Sequence, residues 1–150
     1  MIEQLDIFLK NSPGQLMKVT KWLAKKKIQI RAHAVGLVGD FVVLKAIVND
    51  PKKALKYLQK KNFMVTSVQV FCVGIEDKPG ELHKIATLLG ESQINIKYIY
   101  GFVLNNNQSI QVVQVEEEQY DLTKKVFQKH ELNLFKAKEI YKFTLPDGCV

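Results

Sequence analysis

Two stretches, NSPGQL at residues 11–16 and DKPGEL at residues 77–82, set polar side chains, a proline and a glycine just ahead of a segment with helical apolar spacing. A helix that starts there presents unpaired backbone N–H groups and a partial positive charge, a setting suited to a carboxylate. Gly14 and Gly80 carry no side chain, so a bound group can come close to that backbone. Pro13 and Pro79, read as the first helical residues, preset φ and remove one donor that would otherwise need a partner. The other reactive side chains do not converge at the level of sequence. His33, His83 and His130 fall in different predicted elements with no carboxylate or cysteine at ligand spacing, so no metal is expected. Cys72 and Cys149 lie far apart, form no CxxC and read as free thiols. There is no serine elbow, P-loop or GxGxxG and no arguable pair of convergent carboxylates, so no catalytic residue, no cofactor and no enzyme activity are expected. The run Glu116 to Glu118 reads as a solvated stretch that complements the helix after it.

The elements around the two stretches repeat at an offset of 66 residues. Pro13, Gly14, Leu16, Val19, Leu23, Ile28 and Ile30 match Pro79, Gly80, Leu82, Ile85, Leu89, Ile94 and Ile96 in register, which argues for duplication. In the first copy, alternation over 3–9 predicts a strand, and the spacing of Leu16, Val19, Trp22 and Leu23 predicts a helix from Pro13 to Lys26 with Ser12 as its cap. Strands follow over 28–37 and 41–48 around a VGD turn, then a helix capped by Asp50 and started by Pro51, then a strand over 63–71. The second copy predicts a strand near 70–76, a helix over 79–91, strands near 94–104 and 109–115, a helix over 120–130 and a strand near 134–143. The order βαββαβ, met twice, predicts an α+β fold of two ferredoxin-like units, each an antiparallel sheet with both helices on one face. The expected boundaries are 1–69, 70–145 and a short tail over 146–150.

Composition narrows the function classes further. With 47% apolar and 25% charged residues the chain is an ordinary globular one. No apolar run is long enough to span a bilayer and the start resembles no secretory leader, so a cytoplasmic protein without membrane attachment is expected. The net charge of +7 raises the question of nucleic acid, but Arg31 is the one arginine among 22 basic residues. Arginine is the residue suited to bidentate phosphate and guanine contacts. The third strands, VVLKAIV and SIQVVQV, also lack the stacking aromatics of RNA-recognition modules, so no nucleic-acid partner is expected.

The segments IFLKNSPGQLMKVTKWLAKKKIQI and VGIEDKPGELHKIATLLGESQINI, set in a tandem βαββαβ frame, resemble the ACT domain, a small-molecule regulatory module of amino-acid metabolism. The resemblance covers residues 3–143 and is closest to stand-alone two-ACT proteins. It implies a non-catalytic amino-acid-binding regulator, forming a homodimer, with a free amino acid as ligand and a biosynthetic enzyme as a further partner; a ligand-free adaptor or regulatory subunit is the alternative. It implies ligand contacts at Asn11 with Gln29 in the first unit and at Asp77 with Asn95 in the second. The loop residues Ser12, Pro13, Gly14, Gln15 and Leu16, and Lys78, Pro79, Gly80, Glu81 and Leu82, complete the two candidate sites. SPGQ reads as a capping box in which Ser12 and Gln15 occupy the donors that a ligand would use. KPGE lacks the serine, and Asp77 can accept from an ammonium group, so the second loop is the favoured site. Alternation in KYIYGFV puts Tyr98, Tyr100 and Phe102 on one face, where the tyrosines would wall a pocket or pack an interface.

Overall fold

The protein is described by a computed structural model covering residues 1–105 and 107–142. The elements are β1 (Ile2–Lys10), α1 (Gln15–Lys25), β2 (Ile30–Val38), β3 (Phe41–Val48), α2 (Pro51–Lys60), β4 (Met64–Glu76), α3 (Glu81–Glu91), β5 (Ile96–Asn105), β6 (Gln108–Val115), α4 (Tyr120–Lys129), β7 (Asn133–Leu134) and α5 (Ala137–Tyr141). They form two compact bodies. One comprises Glu3–Gln69 with the described residues 137–142; the other comprises Met1–Ile2 with Val70–Lys136.

In the first body the strand order is β2-β3-β1-β4, with Leu5 opposite Ala46 and Ile7 opposite Leu44. Alternation sends Leu5, Ile7 and Leu9 to the face that both helices cover, where they meet Val19 and Leu23 of α1 and Ala54 and Leu58 of α2. The alternate positions Gln4 and Asp6 are also buried, so their polar atoms need partners. Gln4 Nε2 donates to Asp6 Oδ1 at 2.6 Å, and Lys45, directly across on β3, donates to Asp6 Oδ2 at 3.0 Å. Asp50 caps α2 by accepting from the Lys53 N–H, with Pro51 at the first helical position, as the sequence predicts.

In the second body the order is β5-β6-β4-β7, again antiparallel. Phe71 and Val73 of β4 and Val113 of β6 pack with Ile85 and Leu89 of α3 and Phe127 of α4. Each of the four long helices ends alike: Lys27, Asn62, Gln93 and Glu131 take left-handed φ between 54° and 60°, and the next N–H returns to a carbonyl of the last turn. Ile28 donates to Leu23, Phe63 to Leu58, Ile94 to Leu89 and Leu132 to Phe127 at 2.9–3.1 Å, the double-bonded stop that also tucks an apolar side chain under the helix.

Two expectations from sequence change. Helices α1 and α3 begin at Gln15 and Glu81, not at the prolines, because Gly14 and Gly80 take φ of 82° and 94°, which a right-handed helix cannot include. The strand expected near 134–143 shrinks to the two residues of β7, and Ala137–Tyr141 is helical; position 143 lies outside the described residues. Ala137, Ile140 and Tyr141 recur at three-to-four spacing, and such a short run is compatible with either period. Helix α5 belongs to the first body, where Arg31 Nε and Nη2 donate to the Tyr141 carbonyl at 3.1 and 2.9 Å and the Tyr141 hydroxyl accepts from Glu3 N–H at 2.7 Å. The lone arginine therefore holds the chain's own last described helix.

Candidate functional site

The two Pro-Gly turns have the same construction. Gly14 and Gly80 are the N-caps of α1 and α3, both left-handed, and neither helix start receives a side-chain hydrogen bond. The first intrahelical bonds, Lys18 N–H to Gly14 and Lys84 N–H to Gly80, are both 3.1 Å. The capping box expected at SPGQ is not formed: Gln15 Nε2 donates to Ser12 Oγ at 3.1 Å, so the two side chains satisfy each other and leave the backbone donors of α1 alone. A glycine cap turns the chain so sharply that Ser12 lies off the end of the helix it was expected to close. No side chain thus caps the first turn in either copy, although in the second the Glu81 N–H donates to the Lys78 carbonyl at 3.5 Å.

What separates the copies is charge. Asn11 stands where the second copy has Asp77, and both are exposed. The Asp77 N–H donates to the Asn107 carbonyl at 3.0 Å, tying the turn to the β5–β6 connection. Glu76 and Lys78 form an ion pair, and the hydrogen bond from Lys78 holds the Glu76 carboxyl below its usual range while raising the Lys78 ammonium above its own. Glu81 accepts from Lys84 at 2.6 Å and lies 3.8 Å from Lys78. Residues Ser12, Pro13, Gly14 and Leu16, and their counterparts Pro79, Gly80 and Leu82, are exposed; Gln15 and Glu81 are half-buried.

Gln29 and Asn95 do not join the loops of their own units. Lys10, next to Asn11, pairs with Phe41 at one end of β3, whereas Ile30, next to Gln29, pairs with Val48 at the other. Likewise Glu76 pairs with Gln108 and Ile96 with Val115, at opposite ends of β6. Seven residues of strand separate the two ends by about 23 Å, beyond the span of one amino acid. At that far end the backbone is pinned by amide side chains that sequence reasoning missed. Asn49 Oδ1 accepts from Gln29 N–H, Gln119 Oε1 accepts from Asn95 N–H, and Gln119 Nε2 donates to the Gln93 carbonyl, all at 2.9–3.0 Å. The signal was present in the repeat, since Asn49 and Gln119 each precede the second helix of their copy.

Tyr98 and Tyr100 stack at 6.3 Å between centroids on the face of β5 that alternation predicts, opposite Gln114 and Val112. His83 and His130 line one cleft with Glu91, but the described residues contain no group of three or more His, Cys, Asp or Glu side chains able to hold a metal ion. Among the described residues no helix is long and apolar enough to cross a membrane. The basic residues are partly engaged: Lys25 and Lys61 sit 4.6 and 4.5 Å over Trp22, and Lys26 sits 4.8 Å over Tyr57.

Cys72 is buried in β4, and burial pushes its thiol up to about 12. An unfolded thiol ionises near 9.0, so between these values the folded chain keeps a proton that the unfolded chain has lost. Stability is therefore undiminished by this group below pH 9 and falls by about 1.4 kcal/mol per pH unit on the way to the folded value. Urea unfolding of wild type and Cys72→Ala against pH should show the wild type losing stability faster in this alkaline range. Parallel profiles would mean that the thiol is not shielded.

Two tandem βαββαβ units with glycine-capped turns after their first strands define a paired small-molecule regulatory fold. The family model for the ACT domain pair matches residues 1–144, and the chain belongs to that family. Protein BT0572 from Bacteroides thetaiotaomicron is 34% identical, with a TM-score of 0.86 over 95% of this chain and 96% of that one. The ligand-free regulatory subunit of aspartate kinase from Thermus thermophilus superposes with a TM-score of 0.63 at 16% identity, covering 85% of this chain and 91% of that one. The same subunit from Thermus flavus gives 0.61 at 17% identity over 85% and 90%. Among curated proteins no match is found.

Proposed function

We propose that this ACT pair is a non-catalytic sensor of a free amino acid, bound at its Pro-Gly turns, with the second turn as the stronger site. The observation that carries the reading is the left-handed glycine at the head of α1 and α3, which leaves the first-turn N–H groups without a side-chain acceptor. An α-carboxylate takes those donors, aided by the helix dipole. In the second copy Asp77 accepts from the α-ammonium; Asn11 offers only an amide at that place. The reason for preferring the second turn is this carboxylate, since neither helix start is capped by a side chain. Asn95 reaches a ligand at a turn only from another ACT unit, which favours a homodimer as the working form. Binding that favours one arrangement of units becomes a regulatory signal. The likeness in fold to aspartate kinase regulatory subunits supports a separate biosynthetic enzyme as the recipient of that signal, in the cytoplasm.

Thermal unfolding in the presence of each of the twenty amino acids tests the reading. A ligand at about 100 times its Kd adds about 2.7 kcal/mol. Asp77→Ala should abolish the shift and Asn11→Ala should leave most of it. A reversed pattern would move the site to the first turn, and no shift with any amino acid at millimolar concentration would leave a ligand-free adaptor as the better description.

A further inference from the structure

The two copies share a fold but not a charge. Residues 3–69 carry thirteen basic and four acidic side chains, a net charge of +9, whereas residues 70–136 carry seven and nine, a net charge of −2. The difference is concentrated on the helices. The stretches 15–27 and 51–61, which hold α1 and α2, contain ten lysines and no acidic residue; their counterparts, 81–93 and 120–131, contain four lysines and four acidic residues. All ten lysines are exposed, and no carboxylate among the described residues forms an ion pair with them.

The stability of the helices does not account for this array. Lys25 and Lys60 lie in last turns, where a cation complements the helix dipole. Lys52 and Lys53 lie instead in the first turn of α2, where positive charge is unfavourable and no acidic residue offsets it. Lys21 with Lys25, Lys52 with Lys56, and Lys56 with Lys60 are like-charge pairs four residues apart, which weaken a helix. The second copy builds the same elements with balanced charge, so the fold itself does not require the lysines.

Helical spacing sets Lys18, Lys21 and Lys25 in a stripe along α1, and Lys52, Lys56 and Lys60 in a second along α2. Each stripe is about 10–12 Å long, roughly two turns of helix. Trp22 and Tyr57 join the helices, their rings edge to face at 6.2 Å and 75°. The ammonium groups of Lys25 and Lys61 over Trp22, and of Lys26 over Tyr57, are held by the rings and keep their charge.

The complement of this face is anionic, and its kind follows from what the face lacks. The single arginine is bonded to the Tyr141 carbonyl, and the half-buried rings of Trp22 and Tyr57 lie under ammonium groups, which leaves no open platform to stack a base. No large apolar side chain is exposed within 18–27 or 51–61, so nothing there inserts into a bilayer. Flexible, strongly hydrated ammonium groups in rows at helical spacing suit carboxylates carried at the same spacing.

We infer that the lysine face of α1 and α2 is a docking surface for an acidic helix of a partner protein. It gives the proposed signal to a separate protein a place of contact, and it does not rest on which turn holds a ligand.

A fluorescent alanine-glutamate peptide with glutamates at three-to-four spacing, a thymidine oligonucleotide of equal charge and phosphatidylserine vesicles serve as probes. The peptide should bind most tightly, shift amide signals within 18–27 and 52–61, and lose about tenfold in affinity between low and physiological salt. Lys21→Glu with Lys56→Glu should weaken it at least tenfold without lowering Tm, because each glutamate gains a lysine four residues on, at Lys25 and Lys60. Lys84→Glu with Lys125→Glu, the same change of charge in the second body, should leave binding intact, as should Asp77→Ala. Equal losses in the two double variants, or tighter binding of the oligonucleotide or the vesicles, overturn the inference. So does self-association at low salt that Lys21→Glu with Lys56→Glu abolishes, which would make a second copy the occupant.

Discussion

Phe127→Ala should destabilise the protein by about 3–5 kcal/mol, a large part of the stability of a typical domain. Phe127 is fully buried and comes from the last turn of α4 to meet Phe71 edge-on, at 5.3 Å and 88°. Phe71 in turn stacks on Tyr120, so one ring supports a column of three. Truncation removes the transfer energy of the ring and leaves a cavity that the flanking strand and helix cannot close without moving. Urea unfolding would report the loss. Phe127→Leu, which keeps most of the volume, should retain more than half of it, and a loss below about 1 kcal/mol for the alanine variant would show that the core collapses freely.

The second large effect concerns the turn. Gly80→Ala should cost about 1–2 kcal/mol, the penalty for placing an L side chain in left-handed backbone. A Cβ at Gly80 meets nothing within 4 Å, so crowding contributes no part of the cost. Gly36 in β2 is also open to a Cβ but has no positive φ, which makes Gly36→Ala the matched control, expected near neutral or slightly stabilising. Relief of the strain would turn the first peptide of α3, so any ligand-induced thermal shift should shrink along with stability. Equal stabilities for the two variants would show that the turn has no fixed conformation to defend.

Much of this architecture can be read from residues alone, because the duplicated apolar spacing specifies both the elements and their order. The Asp50 cap followed by Pro51 was legible for the same reason: side chain and backbone preference agree there. The starts of α1 and α3 were not, since a Pro-Gly pair is compatible with proline inside the helix or with glycine turning ahead of it, and only φ decides. The last strand failed because Ala137–Tyr141 satisfies two periodicities at once. The pairing of Asp77 with Asn95 was a matter of family resemblance, and topology separates them. A helix returns the chain to the end of the sheet where its first strand began, so the segment after the helix cannot sit beside the loop before it.

The assignment of α5 to the first body also bears on synthesis. The Arg31 and Glu3 contacts to Tyr141 join residues 110 and 138 positions apart. Contacts at such separation close late and slow folding. As the chain leaves the ribosome, the first repeat must wait, with its place for α5 unfilled, until nearly the whole second repeat has emerged. A chain cut after Gln69 would therefore yield an unfinished body, and the two repeats, although copies, are not interchangeable parts.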